Sequence, residues 1–595
     1  MKKKIALLLV AVAAVFAGCD FSVTDNAGII DTQQYTTQKI DDWEFRPEDA
    51  AKDLAYPSMS PLTGGMKTAM PMAAMESSRL GYAVGGAKDI NNFRENIANG
   101  YLPLPSDITY EGLFYGYYFD TGAPEDCAKL FCPEYSTAIS KDPLSKSDDY
   151  YLAVGLNSGI KESDFQRKKL NLVIVMDISG SMGSPFDQYY YDRFGNKVEN
   201  REESESKTKM EIASQSVVAL LDHLQPDDRF GLVLFDDVAY KAKPLSKVGG
   251  TDLDAIKKHI LDLREQGGTY MEAGMEEGTK MLDELAGSDP DAYENRILFI
   301  TDAMPNIGKI DEEGLGKMLE DNSKNRIYTT FVGVGVDFNT ELVEALTKIR
   351  GANYFSVHSA KEFSKVMDED FEYMVTPLVF DLNLTLDAPS WDIEKVYGSP
   401  EANEATGEIM KVNTLFPSKT EGGETKGGLV LLKLRKTGSA TEGGKEEKLV
   451  LKVTYEDRNG KMESDEKTIV FTGGESYGNT GIRKGILLSR YADLMKSWAT
   501  DEGRFHEKPD TTCPPIIMYE TGIRCPEMRC LPPMPPMCLV ELNEWERQSI
   551  PLEVTRHYQK VFADFAAYFT GEMKAIGDDT LQQELELLNK LATGQ

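Results

Sequence analysis

The sequence predicts an α/β protein in which a doubly wound sheet domain is followed by an all-β region and closing helices. Over residues 170–374, short β-branched and aliphatic runs alternate with amphipathic stretches of helical spacing, the pattern of a parallel sheet covered on both faces. Beyond Thr376 the pattern changes to alternating strands parted by Gly- and charge-rich turns such as Asp457-Arg458-Asn459-Gly460. This predicts a β-sandwich beside the α/β domain, which strands from before residue 170 could complete. Helical spacing returns over 482–494 and again over 554–591.

The chain opens on Lys2-Lys3-Lys4, continues through an apolar run over 5–16 and reaches Ala17-Gly18-Cys19. Such a segment is a secretory signal over 1–18, too short to span a bilayer as a helix. Small residues directly before a cysteine resemble the lipobox of bacterial lipoproteins, with Phe16 where Leu is more usual. The resemblance implies that Cys19 becomes the acylated first residue of the mature protein; the other reading leaves Cys19 a spare thiol. Residues 19–91 are polar and mixed, with Met59, Met66, Met70, Met72 and Met75 scattered among Pro, Gly and Ser, and predict a flexible tether. Their irregular spacing, without His or Cys, predicts no metal site. A segment over 92–165 then leads to the central domain. It includes the helix-like Phe93-Arg94-Glu95-Asn96-Ile97 and the aromatic run Leu113-Phe114-Tyr115-Gly116-Tyr117-Tyr118-Phe119, read as packing residues.

The central domain is expected over 166–375. Its elements are a strand over 172–176, a helix over 210–224, a strand over 229–235, a short antiparallel edge over 238–242 and helices over 253–263 and 271–285. A strand over 296–300, a helix over 315–322 and a strand over 327–334 follow, and the stretches 342–349, 354–357 and 361–374 complete the alternation. The apolar run Leu172-Val173-Ile174-Val175-Met176 delivers Asp177-Ile178-Ser179-Gly180-Ser181. A carboxylate and two hydroxyls at i, i+2 and i+4 suit a hard divalent cation, although an ordinary Asx or Ser turn has the same look. Two more oxygen clusters fall where strand ends meet helix starts: Gly267-Gly268-Thr269, preceding the helix over 271–285, and Thr301-Asp302, directly following the strand over 296–300. In a parallel sheet all three loops lie on one rim.

Asp-x-Ser-x-Ser, Gly-Gly-Thr and Thr-Asp at those positions resemble the metal-ion-dependent adhesion site (MIDAS) of the von Willebrand factor A (VWA) domain, a doubly wound Rossmann-like fold. The resemblance implies hydroxyl ligation by Ser179, Ser181 and Thr269, with Asp177 and Asp302 holding the ion directly or through water. It implies Mg2+ as the usual ion, with Mn2+ or Ca2+ as other occupants, and an open position taken by a carboxylate of a protein partner. Ala303 stands where Gly is common and Tyr270 where Asn is common; neither departure removes a ligand. An insertion over 185–207, carrying Tyr189-Tyr190-Tyr191 and Glu202-Glu203-Ser204-Glu205, leaves the loop that bears Ser181. It either flanks the partner site or is a bystander. With Asn99-Gly100-Tyr101-Leu102-Pro103 and the strands and helix that follow the central domain, the chain over 92–500 also resembles bacterial calcium-activated chloride channel homologues.

The β-sandwich is expected over 376–475, from strands at 379–386, 410–415, 428–435, 448–455 and 466–471. A helical segment over 476–508, a Pro/Cys-rich segment over 509–540 and helices over 541–595 follow, with Phe562, Phe565, Tyr568 and Phe569 as packing residues. Setting Cys19 aside leaves Cys127, Cys132, Cys513, Cys525, Cys530 and Cys538. An even remainder in an exported chain predicts disulfides, with Cys127 and Cys132 closing a local loop. The last four suit two disulfides better than zinc, because they do not form paired CxxC units.

A formal charge of −32 over 595 residues excludes nucleic-acid binding and electrostatic adhesion to anionic lipid. Membrane attachment is therefore expected through lipid on Cys19, in a bacterial cell envelope, with the body facing the periplasm or exterior. Catalysis is not expected. Phosphate-transfer hydrolases that use an Asp after a buried strand need a second carboxylate two residues on, and Ser179 stands there; the histidines His223, His259, His358, His506 and His557 show no ligand spacing. No later segment is apolar enough to span a membrane, so a channel role reduces to that of an auxiliary extracytoplasmic subunit with a mainly structural metal site. That is the alternative to a partner-binding envelope protein.

Overall fold

A computed structural model describes residues 39–46, 79–86, 90–98, 100–122, 127–184, 189–191, 197–199, 207–285, 292–302, 314–334, 348–357, 360–368, 370–387, 390–399, 409–437, 448–471, 476–506 and 550–594. Its centre is a six-stranded sheet in the order Asn353–Val357, Ile327–Val334, Tyr293–Thr301, Lys169–Asp177, Arg229–Phe235, Ala239–Lys247. The first five run parallel and the last antiparallel. In the central strand, Leu172, Ile174 and Met176 enter the core on one face while Val173 and Val175 enter the core on the other. Burial on both sides explains why this strand reads as an unbroken apolar run. The helices Lys209–Leu220, Leu253–Leu261 and Leu315–Lys324 follow strands of the sheet, and Met271–Asp283 follows Leu253–Leu261 directly before the chain returns to the sheet. The stretch 361–374 is not one helix but two, Ala360–Met367 and Phe371–Val375. Asp370 sits at the break, its amide bonded to Lys365 O and its carboxylate paired with Lys419.

The all-β region draws strands from both sides of the central domain. One antiparallel sheet of ten strands contains Arg79–Val84, Cys132–Lys141 and Asp148–Lys161 from before it, together with seven strands from after it. Asp148–Lys161 is the axis: residues 148–157 pair with Cys132–Lys141, residues 150–155 with Leu429–Lys436, and Asn157 and Lys161 with Arg79–Val84. One core joins Leu152 and Val154 of this strand to Leu382, Val412, Val430 and Val453.

This sheet meets the central domain at the amino ends of the parallel strands. Arg350, just before Asn353–Val357, donates to Asp381 Oδ2 at 2.6 Å and to Glu456 Oε1 at 2.7 Å. Gly351 N donates to Thr414 Oγ1 at 2.8 Å. The carboxyl ends of the strands, where ligands bind in open α/β sheets, therefore point away from the β region.

Helices close the other side. Thr480–His506 packs on Arg556–Ile576, with Trp498 edge-on to Phe562 at 5.6 Å. Glu584 is fully buried and accepts from Arg94 Nε at 3.0 Å and Tyr117 OH at 2.9 Å. Leu113, Phe114, Tyr117 and Phe119 of the aromatic run lie in this same core. Among the described residues no helix is long and apolar enough to cross a membrane.

Two stretches of the expected 19–91 tether are built into the fold. Lys39–Arg46 lies on the edge of the central sheet, and Arg79–Val84 is a buried strand of the ten-stranded sheet. Cys127 and Cys132 form a disulfide with Cα atoms 6.2 Å apart. Cys19, Cys513, Cys525, Cys530 and Cys538 lie outside the described residues.

Candidate metal centre

Asp177 ends the central strand and is fully buried. Its Oδ1 accepts from the Ser179 amide at 2.7 Å, an Asx turn, and its Oδ2 accepts from Thr301 Oγ1 at 2.5 Å. The ordinary turn is thus present, and more is built on it. Ser179 Oγ lies 2.9 Å from Ser181 Oγ, and Ser181 Oγ donates to Asp302 Oδ1 at 2.8 Å. Asp302 directly follows the Tyr293–Thr301 strand, the parallel neighbour of the one that ends at Asp177. Four of the five expected ligands are therefore linked in one hydrogen-bonded chain across two adjacent strand ends, Asp177 through the Ser179 amide and the other three oxygen to oxygen.

The fifth, Thr269, is exposed on the facing loop. That loop is pinned from three sides: Gln266 N donates to Ile178 O at 2.6 Å, Gly180 N to Gly267 O at 3.1 Å and Tyr270 N to Asp236 O at 2.8 Å. Gly267 adopts φ +67°, and a Cβ there would press on the Asp236 side chain at about 3 Å, so the turn requires glycine. Among the described residues no hydrogen bond links Thr269 to the other four. Ala303 lies outside the described residues, as does the insertion apart from Lys207 and the strands Tyr189–Tyr191 and Lys197–Glu199, which pair antiparallel.

Of the two buried carboxylates here, Asp302 is paired with a cation. Lys209 Nζ donates to Asp302 Oδ2 at 2.8 Å from a buried side chain. Burial, with the negative charge of Asp302 adding to it, pushes the Asp177 carboxyl up to about 7, because nothing positive offsets its charge. Lys209 was not anticipated as part of the site. The signal was a lysine opening a helix, where it opposes the helix dipole and needs a compensating partner. Asp236 was also missed. Its Oδ2 accepts from Gln266 Nε2 at 3.0 Å and Tyr240 OH at 3.2 Å, which makes it the anchor of the Thr269 loop.

The donor set fits a hard divalent cation. All five groups are oxygens, and neighbouring ligands of an octahedral Mg2+ with bonds of about 2.1 Å stand about 3 Å apart. The Ser179–Ser181 and Ser181–Asp302 separations of 2.9 and 2.8 Å match that edge. Among the described residues no cluster of three or more His, Cys, Asp or Glu is gathered for a metal; this set relies on hydroxyls with two carboxylates. Bound there, the ion would supply a positive centre for an outside carboxylate.

The fold of the central domain is that of a von Willebrand factor type A domain, and residues 172–304 match the model of that family. Relatives include the inter-alpha-trypsin inhibitor heavy chain H1 of Sus scrofa, 23% identical over 218 residues, which are 36% of this chain and 22% of that protein. The heavy chain H4 of Homo sapiens is 21% identical over 229 residues, 38% of this chain and 22% of that protein. The uncharacterized protein YfbK of Escherichia coli is 23% identical over 230 residues, 38% and 35% of the two chains. The chain thus matches between about a fifth and a third of the length of these relatives. Among solved structures, the von Willebrand factor type A protein of Catenulispora acidiphila has a TM-score of 0.39 at 14% identity, covering 63% of this chain and 82% of that one. The PilB minor pilin of Streptococcus sanguinis has a TM-score of 0.26 at 13% identity, covering 40% and 77%. Neither the lipobox reading nor the resemblance to chloride channel homologues gains support from these matches.

Proposed function

We propose that this chain is a non-catalytic, lipid-anchored protein of a bacterial cell envelope that captures a partner protein through a divalent cation, Mg2+ in the first instance. The cation would sit on Asp177, Ser179, Ser181, Thr269 and Asp302, and an acidic side chain of the partner would complete it. The observation that carries this reading is the hydrogen-bonded chain of side chains from Asp177 through Ser179 and Ser181 to Asp302 at the free end of the sheet. Its carboxylates are buried, while Ser181 and Thr269 are exposed beside them. A partner would therefore meet the ion from the solvent side without the ligands leaving their loops. The rim also points away from the ten-stranded sheet, which leaves room for a large partner. Attachment through Cys19 would place this rim outside the membrane.

The test is titration of the purified full-length chain with Mg2+ by calorimetry, followed by pull-down from envelope extract with and without EDTA. Saturable Mg2+ binding that Asp177→Ala abolishes, with a partner that EDTA releases, is the expected result. No binding by the wild-type protein at millimolar Mg2+ would overturn the reading.

A further inference from the structure

Lys39–Arg46 is seated along the outer edge of the central sheet. Ile40 bridges in parallel to Thr251; its amide donates to Gly250 O at 2.9 Å and its carbonyl accepts from Asp252 N at 2.8 Å. Glu44 N donates to Ala242 O at 2.8 Å. Side chains make the seat specific. Asp42 Oδ2 accepts from Lys243 Nζ at 3.1 Å and Ser246 Oγ at 2.7 Å, and Lys243 is fully buried. Trp43 stacks on His259 with ring centroids 5.1 Å apart, and His259 Nε2 lies 3.0 Å from Asp41 Oδ2. Phe45 meets Tyr240 edge-on at 5.2 Å. The seat reads Asp-Asp-Trp-x-Phe, not extended backbone alone.

From Phe45 the contacts lead to the metal rim without a gap. Tyr240 OH donates to Asp236 Oδ2, the oxygen that also takes Gln266 Nε2, and Asp236 O takes the Tyr270 amide. Gln266 and Gly267 are bonded in turn to Ile178 and Gly180, inside the Asp-x-Ser-x-Ser turn. A segment far upstream in sequence therefore touches the support of Thr269, the one expected ligand not yet joined to the others.

We propose that Lys39–Arg46 is a positioning strap for the metal rim: when seated, it holds the Thr269 loop through Phe45, Tyr240 and Asp236 and so sets the affinity for the divalent cation. The proposal rests on the metal-binding reading of the rim. Its consequence is that metal-dependent capture responds to whatever unseats the strap, including a competing peptide of the same acidic and aromatic chemistry.

The experiment uses the full-length chain with Phe45→Ala and, as a variant that keeps the ring contact and the fold, Tyr240→Phe. Mg2+ affinity is measured by calorimetry, and amide exchange at Gly180 and Tyr270 is measured in EDTA. Tyr240→Phe should bind Mg2+ roughly three- to tenfold more weakly, as loss of the one supporting hydrogen bond to Asp236 implies; Phe45→Ala, which removes the ring packed on Tyr240, should weaken binding in the same direction, and both variants should exchange both amides faster without metal. A lowered melting temperature with unchanged Mg2+ affinity would mean that the strap is merely structural and would overturn the proposal while leaving the metal site standing. Failure of the wild-type chain to bind Mg2+ would overturn both.

Discussion

Replacing Asp177 by Asn should stabilise the protein at neutral and alkaline pH when metal is withheld. Burial, reinforced by the charge of Asp302, moves this carboxyl from 3.8 up to about 7. Ionising it in place then costs about 4 kcal/mol, at about 1.4 kcal/mol per tenfold change in proton affinity. Between pH 3.8 and 7 the folded protein keeps this proton while the unfolded chain has lost it. In EDTA the penalty is therefore absent below pH 3.8, grows as pH rises and is complete above about pH 7. Asn keeps the shape: its oxygen still accepts from the Ser179 amide, and the Thr301 hydroxyl turns to accept from its nitrogen. It never carries the charge. Thermal unfolding in EDTA at about pH 8.5 should place the variant above wild type by roughly 10 °C, from about 2–4 °C per kcal/mol in a domain of this size. The gap should close towards about pH 4. With millimolar Mg2+ the wild type gains stability and the variant does not, which narrows or reverses the order. A variant less stable than wild type in EDTA at about pH 8.5, or a gap indifferent to acid, would refute the reasoning.

Lys209→Met should cost about 3–5 kcal/mol in EDTA, because it strands the buried Asp302 carboxylate; chemical denaturation should show the loss shrinking when Mg2+ is added. Glu584→Ala should cost a similar 3–5 kcal/mol by leaving Arg94 without its buried partner, and limited proteolysis should then cut at the closing helices first. Replacing Cys127 and Cys132 together by Ser should cost only about 2 kcal/mol, since the loop they close is short; an unchanged denaturation midpoint would contradict the disulfide.

The inner strands of the central domain were legible because they are covered on both faces, so that Leu172 to Met176 and Phe230 to Phe235 show apolar runs with no need of context. The clustering of Asp177, Ser179, Ser181 and Asp302 was legible for a related reason, since residues at the ends of adjacent parallel strands fall together once the strands are known, whereas Thr269 stands in a loop between two helices. What escaped depends on contacts between residues distant in sequence. Trp391–Tyr397 went unread because a bulge between Ile393 and Lys395 breaks its two-residue alternation. Arg79–Val84 shows no alternation at all, since five of its six residues are buried. Asp42, Trp43 and Phe45 sit in a polar stretch without periodicity, and their meaning lies wholly in Lys243, His259 and Tyr240. Lys209 carried a local clue, its place in the first turn of a helix, but identifying its partner needed the packing of that helix under Asp302.

The ten-stranded sheet has a consequence for how the chain is made. Gly81 pairs with Ser418, and the whole central domain is threaded between those two residues. Contacts so distant in sequence form slowly, and during synthesis the later partner does not yet exist. The central domain, whose strands pair among themselves, has all its parts first and should fold while Arg79–Val84 still waits. Until residue 418 is available, that early strand, already able to pair with Asn157 and Lys161 on one edge, presents its other edge unmatched to any neighbour, so that fast delivery of the second half of the sheet favours correct assembly.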